Sequence, residues 1–233
     1  MKILGRRPAN VVRSLLHVPE HAAGCVRCFR LFERPVRVIW AYLLRRPPAS
    51  GVVRLRNGWT IHLSGDPADI VTVVLVFARH DYGMIRRGGV VVDVGANIGV
   101  FALYAAYCGA TRVLAFEPSA ESYSLLQRNV QENGLADVVE AHRLAVTSAE
   151  RRSVRFPRRS SVMNTILSDG AVGEFDEVPT RTLDAIIEPF DRVDLVKMDC
   201  EGADTRSCSA LHPAPWPRFV RCGSSTTRGV ETS

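Results

Sequence analysis

The sequence lacks any apolar run long enough to cross a membrane. Its longest predominantly apolar stretches, 36–44 and 70–78, fall well short of the roughly 20 residues that a spanning helix needs. The basic N-terminus also lacks a secretory core, because Arg13 and His17 interrupt its apolar residues. We therefore expect a cytoplasmic protein, with at most weak contact between residues 31–46 and a membrane surface.

Cysteine and histidine are too scattered to predict a metal site. Among six cysteines, only Cys25 and Cys28 form a CxxC pair, and a zinc site of that type needs a second pair. His62, His80 and His142 do not have the spacing of metal ligands. The pattern favours two cysteines on one helix, no metal cofactor and a reducing compartment.

Aromatic residues are also few, at 7% of the chain, and they are not interleaved with basic residues. The net charge of +6 comes largely from arginine in the first 50 residues and near residues 151–159. Such a charge permits anionic partners without selecting one. Because no basic patch carries stacking aromatics, we expect no nucleic-acid partner.

Composition divides the chain into three parts. Residues 1–50 are rich in arginine and predict a basic helical extension, which ends at the linker 47–51. Residues 51–203 carry regular patterns and predict the core domain, beginning with a hairpin around Asn57-Gly58. Asp66-Pro67 then predicts the start of a helix that runs to about residue 79. Residues 204–233 form an atypical tail.

The core predicts an α/β fold with a doubly wound, Rossmann-like parallel sheet. Short apolar runs without alternation are typical of strands that are buried on both faces. Helical segments separate them, and a polar stretch at 151–179 predicts a hairpin and a loop. The predicted strands of the sheet begin at Val90 and cover 90–93, 112–116, 138–146 and 193–198.

A glycine loop connects the first of these strands to a helix, in the sequence Asp93-Val-Gly-Ala-Asn-Ile-Gly99. Gly95 allows the backbone to approach a ligand, and the start of the helix offers free N–H groups. Two glycines four residues apart do not form the GxGxxG pattern of dinucleotide sites. Taken alone, the loop predicts a nucleotide-like ligand only weakly.

Two acidic residues at strand ends sharpen this interpretation. Glu117 ends the second strand, where a carboxylate can accept hydrogen bonds from vicinal ribose hydroxyls. Asp93 ends the first strand, where it can pair with the ammonium group of an amino-acid ligand but would repel pyrophosphate. The pattern favours S-adenosylmethionine over NAD as the cofactor. A helix cap at Asp93 and an exposed strand end at Glu117 are the structural alternatives.

In combination, these motifs resemble the FkbM-type methyltransferase family. The resemblance covers residues 52–204 and rests on four stretches, namely 91–101, 115–118 (Ala-Phe-Glu-Pro), 181–184 (Arg-Thr-Leu-Asp) and 194–203. It implies a Rossmann-like fold and methyl transfer, usually to oxygen, in natural-product or polysaccharide metabolism. It also implies a small-molecule or glycan hydroxyl as the acceptor and a set of residues that contact the cofactor: Asp93, Gly95, Ala96, Asn97, Gly99, Glu117 and Pro118.

Candidate catalytic residues come at the fourth predicted strand. Strands one and four are neighbours in the doubly wound order, at the switch point where ligands bind. Asp199 is positioned to accept the proton of the acceptor hydroxyl, with Lys197 holding that hydroxyl and Glu201 close behind. A structural ion pair between Lys197 and Asp199 is the alternative. Asn164-Thr165 is a further candidate for the acceptor pocket.

The tail departs from the family pattern after Ala203. Pro213, Pro215 and Pro217 forbid the helix that should follow strand four, and only residues 218–222 have strand character. We therefore expect a sheet that is incomplete at the C-terminus, and a tail that an out-of-frame reading would explain. Two alternative functions remain: a non-catalytic remnant that binds only the nucleoside cofactor, and an NAD-type oxidoreductase.

Overall fold

The computed structural model describes residues 18–79, 82–83, 85–147, 152–157, 174–198 and 220–222. The chain divides into two compact units, Met1–Gly83 and Met84–Ser233. This division lies later than the composition change at residue 50, because the segment after the proline linker clusters with the N-terminal helices. Within the described ranges, no helix is long and apolar enough to cross a membrane.

The first unit combines helices with one short hairpin. The hairpin is the one predicted from Asn57-Gly58, and Gly58 adopts a φ of +92° that suits glycine at such a turn. The elements are helices α1 (Val18–Leu31) and α2 (Pro35–Leu43), strands β1 (Val52–Arg54) and β2 (Thr60–His62), helix α3 (Pro67–Val73) and a π-helical segment (Val74–Arg79).

Helix α3 begins where the sequence predicts. The Asp66 carboxylate accepts a hydrogen bond of 2.7 Å from the Ala68 N–H, and Pro67 occupies the first turn. The helix extends to Arg79 as expected, but its last six residues are π-helical. The apolar periodicity could not reveal this change, because the two helix types keep similar faces buried over so short a segment.

The second unit is built on a five-stranded parallel sheet in the order β10-β9-β3-β4-β5. The predicted α/β fold class is therefore confirmed. Its strands are β3 (Val90–Val94), β4 (Arg112–Phe116), β5 (Val139–His142), β9 (Leu195–Met198) and β10 (Val220–Cys222); its helices are α4 (Val100–Tyr107), α5 (Ala120–Glu132) and α6 (Leu183–Ile187).

The predicted third strand, 138–146, is wrong as a single element. Strand β5 ends at His142, and β6 (Ala145–Thr147) belongs to a separate three-stranded sheet in the order β6-β8-β7. The carbonyl oxygen of His142 accepts hydrogen bonds from both Glu117 and Leu144, and the second bond turns the chain out of the large sheet.

The polar stretch between the predicted strands three and four does contain a hairpin. Its strands are β7 (Ser153–Pro157) and β8 (Phe175–Thr182), which pair antiparallel. Asn164-Thr165 lies outside the described residues. In the tail, the segment with strand character forms β10, which pairs parallel with β9, so β9 does not form the edge of the sheet.

Candidate functional site

The carboxyl ends of β3, β4 and β9 meet at one edge of the parallel sheet. Strands β3 and β9 are direct neighbours, as the doubly wound order predicts, and their register places Asp93 opposite Lys197. Strand β4 lies on the other side of β3 and leads directly into Glu117. The topology thus brings together three charged residues that are far apart in sequence.

The loop from β3 to α4 holds a conformation that favours glycine at its two ends. Gly95 and Gly99 have φ values of +74° and +86°, in the left-handed region. A Cβ on Gly99 would also lie 2.5 Å from the Leu126 Cδ1 atom of α5. Asn97, at a φ of +49°, is one of the few residue types besides glycine that tolerate this region. The motif Gly-Ala-Asn-Ile-Gly therefore fixes the backbone.

Main-chain hydrogen bonds fasten this loop to the end of β4. The N–H groups of Gly95 and Ala96 both donate to the Phe116 carbonyl oxygen, at 3.0 Å each. The Asn97 N–H donates to a carboxylate oxygen of Glu117 at 2.8 Å. Successive amides are thus used within the protein, whereas a phosphate-binding loop turns its amides toward the ligand.

Glu117 is the buried acceptor at the centre of this network, with 7% of its surface exposed. One carboxylate oxygen accepts from Asn97 and the other from the Ser119 N–H, both at 2.8 Å. Burial raises the pKa of Glu117 to about 7, although the two amides and the nearby Lys197 favour its charged form. Each carboxylate oxygen can accept a further hydrogen bond, so the group retains capacity for a diol.

Lys197 and Asp93 form a buried ion pair beside the loop. The Lys197 Nζ atom lies 2.8 Å from Asp93 Oδ1 and 3.2 Å from the Gly95 carbonyl oxygen, and it sits 5.5 Å from the centre of the Phe101 ring. The ammonium group that pairs with Asp93 is thus supplied by the protein. The alternative partner of Lys197 in the sequence analysis, Asp199, lies outside the described residues, as does Glu201.

The remaining cofactor candidates occupy the same edge. Ala96 is buried within the loop, and Pro118 is half-buried after Glu117. Three groups near the site could not be predicted from the sequence: the Phe116 carbonyl, the Ser119 amide and the Phe101 ring. Main-chain groups carry no residue signature, and Phe101 looks like any apolar residue of α4. His142 stacks on the Phe116 ring at 5.1 Å, and burial lowers its pKa.

The described residues contain no cluster of three or more histidine, cysteine, aspartate or glutamate side chains that could hold a metal ion. Cys25 and Cys28 lie on α1, as the interpretation of a helical pair expects, with Cys25 exposed and Cys28 buried. Burial raises the pKa of the Cys28 thiol to about 11, which keeps it protonated. The charged cluster at the sheet edge is therefore the candidate site.

Comparison with known proteins identifies relatives among methyltransferases. The chain is 28% identical over 204 residues to the 31-O-demethyl-FK506 methyltransferase FkbM of Streptomyces tacrolimicus, a match that covers 72% of this chain and 78% of that protein. It is 41% identical over 58 residues to the ribosomal protein L11 methyltransferase of Desulforamulus reducens, covering 25% of this chain and 19% of that protein.

Solved structures of methyltransferases also match parts of the chain. The FkbM methyltransferase of Methylobacillus flagellatus is 16% identical with a TM-score of 0.36, and the match covers 75% of this chain and 44% of that one. Arabidopsis thaliana protein arginine methyltransferase 10 is 21% identical with a TM-score of 0.26, over 48% and 21%. This chain therefore spans less than half the length of either, and its fold class rests on its own strand order.

The family model matches the part of the chain that holds the site. The model described as the methyltransferase FkbM domain aligns with residues 93–207, which begin at Asp93 and include the glycine loop, Glu117 and Lys197. The resemblance inferred from the sequence motifs is thereby confirmed. Residues 93–207, just under half of this chain, are therefore similar to the methyltransferase FkbM domain.

Proposed function

We propose that this protein binds S-adenosylmethionine at the edge formed by β3, β4 and β9, and transfers its methyl group to a hydroxyl oxygen of a small molecule or glycan. The cofactor would contact the loop at Gly95, Ala96, Asn97 and Gly99, and the segment Glu117-Pro118. When bound, it supplies an electrophilic methyl group on a sulfonium.

One observation carries the cofactor assignment: the Glu117 carboxylate is buried and fixed by two backbone amides at the end of β4. Its remaining acceptor capacity matches the two hydroxyls of a ribose, which donate in the same direction. Because the network is already formed, binding a diol would require no rearrangement of the carboxylate.

The loop favours a nucleoside without pyrophosphate. The amides of Gly95, Ala96 and Asn97 donate to protein acceptors, so they are not available to a diphosphate. An ionised Glu117 would also repel a diphosphate and would suit a cationic sulfonium, whereas the charge of Asp93 is already paired with Lys197. This argues against the NAD-type alternative on the chain's own contacts.

Asp93 and Lys197 would act as a unit in the proposed site. Lys197 is held by Asp93 and by the Gly95 carbonyl, so it fixes the end of β3 and the start of the loop together. In this arrangement Asp93 contributes to the cofactor site by orienting Lys197. The Nζ atom carries three donors, and two of its acceptors are now identified.

Transfer to a hydroxyl requires loss of one proton. The acceptor oxygen would receive the methyl group that the cofactor supplies, and a carboxylate of the chain would take the hydroxyl proton. Asp199 and Glu201, which follow β9 in the sequence, are the proposed bases for that role, with Lys197 near the acceptor. The Streptomyces tacrolimicus relative, whose name identifies it as an O-demethyl-FK506 methyltransferase, supports oxygen as the methylated atom.

Calorimetric titration with S-adenosylhomocysteine tests the cofactor assignment. We expect the full chain to bind it, and Glu117→Ala to weaken binding by about 1–3 kcal/mol, because ribose hydroxyls lose their acceptor. Glu140→Ala is the matched control, since Glu140 is a half-exposed glutamate on β5 that pairs with Arg112. Equal affinities in the parent and Glu117→Ala would refute the assignment.

Methyl transfer needs a separate test. The full chain is incubated with methyl-labelled S-adenosylmethionine and a panel of small-molecule and glycan alcohols, and the product is identified by NMR. A methyl ether supports oxygen as the acceptor atom, and a methylated nitrogen or carbon contradicts it. Cofactor binding with no transfer to any member of a broad panel would favour the non-catalytic remnant.

A further inference from the structure

Helix α2 is apolar on almost its entire circumference. Its sequence, PVRVIWAYL, contains a single charged residue, Arg37. A helix of this kind is normally buried on all sides in a core or a membrane. Among the residues that the structure describes, one side of α2 is buried, through Pro35, Val38 and Ala41.

The opposite side of the helix presents large apolar residues to solvent. Val36, Trp40, Leu43 and Leu44 follow one another at helical spacing and form a stripe roughly 100° wide. Trp40 is 58% exposed and Leu44 is 66% exposed. Apolar patches of this kind on a surface mark contact with another molecule or a membrane.

Arginines surround this stripe at both ends and at its side. Arg34 precedes the helix, Arg37 lies within it, and Arg45 and Arg46 follow it; all four are exposed. Across residues 23–50 there are six arginines and one acidic residue, Glu33. A tryptophan and leucines bounded by arginine are the composition of a helix that lies in a membrane interface, where arginine heads reach lipid phosphates.

We propose that this surface docks onto an anionic lipid bilayer. The α2 face, defined as Val36, Trp40, Leu43 and Leu44 with Arg37, Arg45 and Arg46, would insert its apolar stripe between lipid headgroups. Its arginines would pair with the phosphates of that anionic surface. The protein would then concentrate at a membrane surface through α2, which is too short to cross it.

Charge complementarity favours this occupant over two others. A second copy of the chain would bring the arginines of one α2 face against those of the other. Residues 1–17 contain four basic residues and no acidic one, so the same repulsion opposes their covering the face, and they would add to attraction by lipid. Only a negatively charged surface matches both the stripe and its rim.

Vesicle co-sedimentation tests the proposal on the full chain. We expect binding to phosphatidylcholine vesicles that contain about a third phosphatidylglycerol, weak binding to phosphatidylcholine alone, and loss of binding as salt rises. Trp40→Ser/Leu44→Ser should lower the partition coefficient about tenfold, because apolar insertion is lost. Arg45→Glu/Arg46→Glu should lower the partition coefficient to a similar degree, because the electrostatic attraction to anionic lipid is weakened.

A matched control separates the α2 face from net charge. Arg54→Glu/Arg152→Glu changes the net charge by the same amount, at two exposed arginines outside the α2 face. This variant should bind anionic vesicles far better than Arg45→Glu/Arg46→Glu. Circular dichroism establishes that each variant is folded. Equal losses in the two arginine pairs, or no vesicle binding by the parent, would overturn the proposal. A parent dimer that Trp40→Ser/Leu44→Ser converts to monomer, without vesicle binding, would identify a second copy as the occupant.

Discussion

The two units of this protein depart from the usual distribution of residues in opposite directions. At the edge of the parallel sheet, Asp93, Glu117 and Lys197 are charged or ionisable and are all buried. On α2, Trp40 and Leu44 are large and apolar and are exposed. Buried charge and exposed apolar surface both cost stability unless something compensates for them.

The compensation differs in the two regions. The buried groups have partners within the fold: Asp93 and Lys197 form an ion pair, and Glu117 accepts hydrogen bonds from two backbone amides, so these contacts do not need a ligand to form. For the α2 face, we propose that the compensation comes from a lipid surface outside the chain. The comparison teaches that opposite departures from the usual distribution of residues can have different consequences: the buried charges have partners within the fold, and the exposed apolar residues form a candidate docking surface.

Breaking the buried pair should have the largest effect. Lys197→Met leaves Asp93 buried without its cation, and we expect the free energy of unfolding to fall by about 3–5 kcal/mol in urea denaturation. Arg128→Met is the control, because it removes an exposed pair with Glu132 that is worth less than about 1 kcal/mol. The double variant Asp93→Leu/Lys197→Met should recover much of the loss. Similar costs for the two single variants would contradict a tightly coupled buried pair.

The pH dependence of stability should reveal Glu117. Its pKa is raised from 4.5 to about 7 in the folded protein, so between these values the folded state holds a proton that the unfolded state has released. This contribution to stability is constant below pH 4.5, falls as pH rises toward 7, and is level above it, for a total on the order of 3 kcal/mol.

The measurement is urea denaturation of the parent and Glu117→Gln from pH 4 to pH 8. Subtracting the two curves isolates Glu117, because a glutamine does not titrate and the lost acceptor costs the same at every pH. We expect the parent to lose more stability than the variant across this window. Glu140→Gln, the same substitution at a half-exposed glutamate of β5, is the control. Parallel curves for parent and Glu117→Gln would mean that the pKa of Glu117 is not raised.

The glycine loop should be sensitive at its helix end. Gly99→Ala places a Cβ 2.5 Å from Leu126 Cδ1 at a φ of +86°, and we expect a loss of about 1–3 kcal/mol from overpacking and strain. Gly134→Ala is the control, since Gly134 also has a positive φ but nothing within 4 Å of an added Cβ. It should cost about 1 kcal/mol. If Gly99→Ala is no worse than Gly134→Ala, contact with Leu126 does not constrain the loop.

The smallest effect is expected on the exposed side of α2. Trp40→Ser should change the free energy of unfolding by less than about 0.5 kcal/mol, because the ring makes little contact with the fold. Val38→Ser, on the buried side of the same helix, should cost about 2 kcal/mol. Thermal or urea denaturation compares them. A large cost at Trp40 would show that its ring supports the fold rather than a docking surface.

Local sequence patterns predicted most of the helices and strands but few of the contacts between them. The strands at Val90 and Arg112 were evident because each is an apolar run between turns, and Ser119 and Asp66 cap helices as their types suggest. The division between β5 and β6 was missed, because it depends on a tertiary contact. The His142 carbonyl oxygen accepts from Leu144 in the turn and also from Glu117, whose position the local sequence does not specify. The π-helical segment was missed because, over so short a length, it buries a face similar to that of an α-helix.

The site was predicted in its residues more than in its contacts. The motif pointed to Asp93, Glu117 and Lys197, and topology brings all three to one edge. The pairing of Asp93 with Lys197 depends on the register of strands 104 residues apart, which no local pattern specifies. The roles of Asp199 and Glu201, and the out-of-frame origin of the tail, stay predictions because those residues lie outside the described ranges.

The hydrogen bonds that hold the glycine loop determine which mutations the loop tolerates. Its bonds to β4 run from the main-chain amides of Gly95, Ala96 and Asn97, so they do not use the side chain at position 96. Substitution at that position can alter contact with a ligand without releasing the loop. Insertion or deletion of one residue would instead move each later amide away from its acceptor, so the length of this segment is more tightly constrained than the residue type at position 96.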